Sequence, residues 1–183
     1  MTRIEEVQWQ EEMQDAAFPG NIGANYSRAV AGYYGGPRAY NVWDVAAWER
    51  FRANKKLPIW VAGYGGAKEG ADAVTALRAL GVHKGAWTAV DMETRVDRTY
   101  LEAFGAMLHD AGYRVWVYGS ASTVFGNPQL DGYWVADYAG IGPFMYDAGP
   151  NVEIRATQYA AGELVDSSTV KPWTLNNTPW WQY

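Results

Sequence analysis

The sequence predicts an α/β fold: a small, single-domain (β/α) barrel of the TIM kind over residues 1–183, with its closure left open. Three observations predict it. Short apolar runs rich in Val, Ile, Trp and Tyr recur along the chain, as in parallel strands buried on both faces. Several of these runs are separated by segments of helical periodicity, the mark of β-α units. The runs also end alike, in AGYYGG, VAGYGG, VDMET, VYGS, VADYAG and TQYAAG. Aromatic, acidic and small residues at strand ends would share one rim of a parallel barrel, where such folds place their sites. An open doubly wound sheet also binds at its strand ends, so the endings locate a site more firmly than they close a barrel.

Each element follows in order. Strands are predicted at Ala29–Tyr34, Leu57–Tyr64, Trp87–Glu93, Arg114–Tyr118, Gly132–Tyr138 and Val152–Tyr159. Asp44 can accept backbone N–H bonds as the cap of a helix that carries Trp48 and Phe51 on one face. A second helix runs over Glu69–Leu80 and stops at Gly81. A third, Thr99–Ala111, spaces Leu101, Phe104 and Leu108 for one face and stops at Gly112. The stretch from Ser120 to Asn127 has room for only a short helix, and Lys171–Tyr183, with Pro172 and Pro179, reads as irregular. The MQDAAFPG segment around Asp15 is weak as a first strand. No repeat and no low-complexity stretch is present.

Composition removes several chemistries. A net charge of −5 disfavours nucleic acid as a partner, since phosphate binding needs clustered Lys and Arg. The absence of Cys, with only His83 and His109 as histidines, leaves no thiolate, no metal cluster and no Ser-His triad. Gly63, Gly65 and Gly66 lack the spacing of a nucleotide loop. No cofactor and no metal are therefore expected, and any hydrolysis must rest on carboxylates. The opening MTRIEEVQWQ is acidic where a secretory signal is basic and then apolar. With no apolar run of about 18 residues either, the reading is a protein made in the cytoplasm and not in a membrane. The 10 Trp and 13 Tyr exceed what the core needs. Rings with an apolar face and a polar edge are platforms for sugars, and core filling is the competing account for each.

Asp91 and Glu93 stand two apart in a predicted strand, so both point one way and Met92 the other. Two close, partly desolvated carboxylates push one pKa up, as a general acid at neutral pH requires. The spacing equally allows an exposed strand tip paired with Arg95 or Arg98. Asp15, Asp137 and Asp166 also fall near strand ends, where Asp serves as turn or cap too.

Taken in order, AVDMET, LHDAGYRVWVYGS, YWVADYAG and ATQYAAGELVDSS resemble glycoside hydrolase family 25, the lysozyme-type muramidases. DAAFPG, VAGYYGG, YNVWDVAAWERF and KLPIWVAGYGG resemble more closely the related glycoside-hydrolase-like barrels of actinobacteria and their phages. The resemblance runs from about Asp15 to Val170. It implies Glu93 as general acid and Asp91 as the residue that positions the acetamido group or stabilises the intermediate. It also implies site roles for Asp15 and Asp166. The opening departs from the family's Gly-aromatic-Asp pattern, and DSST departs from its Asp-small-Asn ending.

Two functions follow. One is a hydrolase of β-1,4 bonds in bacterial cell-wall peptidoglycan. The other is a non-catalytic glycan-binding or assembly module, for example in a phage particle with a protein partner. Both predict Asp91, Glu93, Tyr118, Asp137 and Gln158 on one rim, with aromatics drawn from Tyr33, Tyr34, Tyr64, Tyr118, Trp134, Tyr138 and Tyr159. Tyr64, Tyr118 and Tyr159 are favoured, because a Gly or Ala follows each and leaves room for a sugar ring.

Overall fold

The computed structural model describes residues 11–26, 28–51, 55–93, 97–138, 143 and 145–171. The strands are β1 (Glu11–Asp15), β2 (Ala29–Gly35), β3 (Lys56–Val61), β4 (Trp87–Asp91), β5 (Arg114–Ser120), β6 (Tyr133–Ala136), β7 (Ile154–Ala160) and β8 (Asp166–Val170). The helices are α1 (Val45–Glu49), α2 (Gly66–Ala79), α3 (Arg98–Asp110) and α4 (Ala121–Phe125). The strands form a closed barrel in chain order. β1 to β7 are parallel to their neighbours, while β8 runs antiparallel to both β7 and β1. The question of closure is thus resolved by two strands that the apolar pattern does not mark. β1 is a strand after all, and DSSTV supplies β8. An antiparallel neighbour needs only a short link, and residues 161–165 provide it between β7 and β8.

Alternation along the strands builds two cores. Inside the barrel, Trp87, Trp116 and Trp134 fill the space left by Ala29, Ala31, Ala89 and Ala156. The Trp87 and Trp116 rings lie 5.6 Å apart. Outside, Val30, Trp60, Val90, Val115 and Val117 pack under Leu77, Leu101, Phe104 and Leu108 of α2 and α3. The two helices approach closely at Gly70, where a Cβ would lie 2.7 Å from Met107 Cβ.

Local chemistry sets the helix starts. Asp44 accepts from Ala47 N at 2.8 Å at the head of α1, and Asp97 accepts from Tyr100 N at 2.8 Å at the head of α3. The tail from residue 172, the opening residues 1–10 and Arg95 lie outside the described residues. Three predicted strands stop short: β3 at Val61, so Tyr64 stands in the following loop, β4 at Asp91, so Glu93 does too, and β6 at Ala136, which leaves Asp137 and Tyr138 beyond it.

Candidate active site

Because β8 is antiparallel, its first residue lies at the same end as the last residues of the parallel strands. Asp15 and Asp166 are register partners there. So are Asp91 and Tyr118 across β4 and β5, and Ala136 and Gln158 across β6 and β7. Cross-strand partners share a face. These side chains therefore project inward at one mouth, above the tryptophan layers.

Hydrogen bonds join the two walls. The Tyr118 hydroxyl lies 3.1 Å from Glu93 Oε1 and 2.5 Å from Gln158 Oε1. The Tyr138 hydroxyl donates to the same Gln158 oxygen at 3.0 Å, and Gln158 Nε2 reaches Asp15 Oδ2 at 3.5 Å. Asp91 Oδ1 accepts from the backbone N–H of Glu93 at 3.0 Å, which ties the loop residue to the strand end. Gly162 N donates to Asp166 Oδ1 at 3.0 Å. The β4 backbone thus ends in a turn that Asp91 itself closes, and Glu93 is presented from that turn rather than from the strand.

Burial dominates the electrostatics. It pushes Asp15 well above the usual carboxylate range, and the charges of Asp166, Asp91 and Glu93 push the same way. Burial, with the charge of Glu93, raises Asp91 to about 7 against the opposing N–H of Glu93. Asp166 is raised by burial and by Glu93. Tyr33 and Tyr118 are raised by burial and by neighbouring carboxylates. Asp15 is 7% exposed, and its Oδ1 has no hydrogen-bond partner among the described residues. Beside Asp91 and Glu93 opens a cleft of about 240 Å3, also lined by Tyr33, Arg38, Tyr40, Val61, Ala62 and Met92. Among the described residues no His, Asp and Glu side chains are grouped to hold a metal ion.

The mouth gathers Asp15, Asp91, Glu93, Asp166, Tyr118 and Gln158, with Tyr33 and Tyr138 beside them. Other candidates face elsewhere. Tyr34 alternates outward and packs on Trp60 with ring centroids 5.4 Å apart, since its neighbour Tyr33 takes the inward position. Trp134 is fully buried below the mouth, where its Nε1 donates to Ser168 Oγ at 3.0 Å. Tyr159 follows the inward Gln158 and so turns to the outer surface, beside Ser167 and within reach of the Glu12 and Arg28 charges. Asp137 follows β6 at the right end of the barrel, but its charge acts on Tyr146 in the outer core. Tyr64 stands exposed on the loop after β3, its ring 4.6 Å from the Arg38 guanidinium.

Sequence reasoning missed Glu69. Buried at 5% exposure, it accepts from Trp60 Nε1 at 3.3 Å, Gly63 N at 2.9 Å, Tyr64 N at 2.7 Å, Gly65 N at 2.9 Å and the Tyr100 hydroxyl at 2.7 Å. It holds the β3–α2 loop that borders the cleft. The signal available was an acidic residue in the first turn of a helix opened by glycines.

The model of the family described as "Rv2525c-like, glycoside hydrolase-like domain" matches residues 40–141. That span is more than half of the 183 residues. The chain belongs to this family. In this glycoside hydrolase-like barrel the matched span carries Asp91, Glu93 and Tyr118, while Asp15, Gln158 and Asp166 come from strands outside it. Solved structures share the fold. An uncharacterized protein of B. stearothermophilus superposes with a TM-score of 0.70 at 20% identity, over 90% of this chain and 98% of the other. The CTP1L endolysin gives 0.68 at 12% identity, over 90% of this chain and 67% of its own. The bacterial lysozyme of Streptomyces coelicolor gives 0.55 at 15% identity, over 92% and 98%. No curated protein matches the chain in sequence. Among the described residues no helix is long and apolar enough to cross a membrane.

Proposed function

We propose that the mouth of this glycoside hydrolase-like barrel cleaves β-1,4 bonds of bacterial cell-wall peptidoglycan. One observation carries the reading: Asp15, Asp91, Glu93 and Asp166 lie close enough at one barrel end for their charges to act on one another. Like-charged, partly desolvated carboxylates are what a metal-free acid mechanism on a glycosidic bond requires. The likeness in fold to lysozyme and endolysin structures supports the substrate class.

In this mechanism Glu93, the exposed member, protonates the leaving glycosidic oxygen. The Tyr118 hydroxyl, placed against Gln158, orients the Glu93 carboxyl for that transfer. Asp91, which ionises only as pH rises through about 7, then faces the positive charge that develops on the sugar, or holds the acetamido group that shields it. Asp15 and Asp166 form the opposite wall.

Purified peptidoglycan tests this directly, by loss of turbidity with analysis of the released sugars. Replacing Glu93 by Gln keeps the shape and removes the proton donor, so the rate should fall by roughly 100- to 10,000-fold with the fold unchanged. Clearing at the parent's rate would remove Glu93 as the acid. The exposure of Phe18, Tyr40, Tyr64, Tyr138 and Leu164 in segments leaving the mouth favours one second reading, a glycan-binding module of a phage particle without turnover. That reading expects binding by the parent and the Glu93→Gln protein alike, with no product from either.

A further inference from the structure

We propose that the outer flank of β6 carries a second binding site, an aromatic corner beside Asp147 that takes an alkylated ammonium group. The site is independent of the glycan reading, because no residue of the mouth lines it.

The site arises where the barrel wall changes its cover. Around β3 to β5 the outer face packs under α2 and α3. Among the described residues no helix stands between β6 and β7, and residues 145–152 lie against the outer core there instead, with Met145 and Tyr146 buried in it. Between that segment and the end of α4 opens a cleft of about 520 Å3, walled by Phe125, Tyr133 and Tyr146. Phe125 meets Tyr133 edge-on, with centroids 5.5 Å apart and planes at 83°, and lies 5.6 Å from Tyr146 at 47°. Rings set at such angles make a corner rather than a stack.

The corner is held from behind. The Tyr133 hydroxyl donates to Asn127 O at 2.8 Å, Tyr146 N to Thr157 Oγ1 at 2.8 Å, and Glu153 N to Gln129 Oε1 at 2.9 Å. Gly149, at φ +92°, turns the chain after Asp147, and its N–H donates to Asp147 Oδ1 at 2.9 Å. Walls ordered in advance lose little freedom when a ligand arrives.

Charge and hydration name the ligand. A ring face is the negative pole of the aromatic quadrupole, so the corner attracts a cation and offers a neutral apolar group contact area alone. Asp147, exposed, is the charged residue among the described ones that line the cleft, and the charge of Asp137 also reaches Tyr146. Arg98, whose charge acts on the Tyr133 hydroxyl, does not line the cleft. A metal ion or a primary ammonium would exchange tightly held water for ring faces, which accept hydrogen bonds poorly. An alkylated ammonium has a diffuse charge and little hydration to lose, so ring faces and one carboxylate suffice.

Amide NMR on the whole chain, titrated with tetramethylammonium chloride, tests the site. Saturable shifts are expected at the amides of Phe125, Ala148 and Asn151, which surround the cleft. Methylammonium should bind about fivefold more weakly. Neither tert-butanol, neutral and of similar bulk, nor sodium chloride should saturate those amides. Phe125→Leu keeps apolar bulk and removes a ring face, while Asp147→Asn keeps the acceptor for the Gly149 N–H and removes the charge. Each should weaken tetramethylammonium binding about fivefold. Thermal midpoints should hold, because both side chains are exposed. Equal affinity for tert-butanol or methylammonium, full affinity in either variant, or no saturation by tetramethylammonium at these amides overturns the proposal and leaves the glycan reading untouched.

Discussion

At Asp91 a single carboxyl serves the fold and the site. Its side chain closes the turn that presents Glu93, and burial at 7% exposure raises it from 3.8 to about 7. A raised folded pKa means that the folded state holds the proton more tightly than the unfolded chain. Asp91 therefore makes stability fall as pH climbs from about 3.8 towards about 7, by roughly 1.4 kcal/mol for each pH unit of that window. Asp91→Asn keeps an oxygen for the Glu93 N–H and removes the buried charge. Its thermal midpoint should exceed the parent's at pH 8 and match it near pH 3.5. Equal midpoints at both values would mean that the carboxyl is not desolvated. If Asp91 acts in the ionised form, the same substitution should abolish hydrolysis while it stabilises the protein, the trade expected where a site stores an uncomfortable charge.

Among the elements, the β3–α2 junction depends on Glu69 as β4 depends on Asp91, with the opposite sign. Burial alone would raise Glu69, but the N–H groups of Gly65 and Gly63 and the hydroxyl of Tyr100 outweigh it and hold the carboxyl below its usual 4.5. Its contribution is present above that value and is lost as pH falls through the lowered folded pKa. In Glu69→Gln one acceptor oxygen becomes an N–H that faces donors, so we expect a loss of roughly 2 to 4 kcal/mol in urea unfolding at pH 7. The Tyr64 backbone amide should also exchange faster. A loss below about 0.5 kcal/mol would show that water replaces the carboxylate at no cost. The short reach of β4 has the same origin: once Asp91 turns its oxygen onto the Glu93 N–H, the ladder cannot run on to residue 93.

Closure is the property of the whole molecule on which the mouth depends. β8 is paired on both sides, with Ser168 in register with Met13 of β1 and with Gln158 of β7. Proline has no N–H and a fixed φ, so Ser168→Pro should cost about 3 kcal/mol or more. It should also separate Asp166 from Asp15. Circular dichroism and urea unfolding would read a lower midpoint and a shallower transition. An unchanged transition would mean that the barrel stands without its antiparallel strand. The buried tryptophans raise the stakes at this scale, because Trp116 and Trp134, fully buried inside the barrel, lose their packing partners if it opens.

Much of this was legible locally. Alternation in WVYGS and the apolar faces of α2 and α3 specify strand and helix because side-chain direction follows backbone period, a property of adjacent residues. Strand ends rich in acids and small residues likewise marked Asp91, Glu93, Tyr118, Asp137 and Gln158 for one rim, of which Asp137 acts instead on Tyr146 of the outer core. Tertiary structure decided the rest. Period two says that Tyr33 and Tyr34 point opposite ways, but only the neighbouring strands say which of them meets the carboxylates. EEMQD and DSSTV carry too few apolar residues to declare themselves strands, and each becomes one because its backbone groups pair with partners far away in sequence. Asp15 and Asp166 are brought opposite each other by that pairing. Their raised protonation follows from burial and mutual charge, quantities that exist only once the chain has closed on itself.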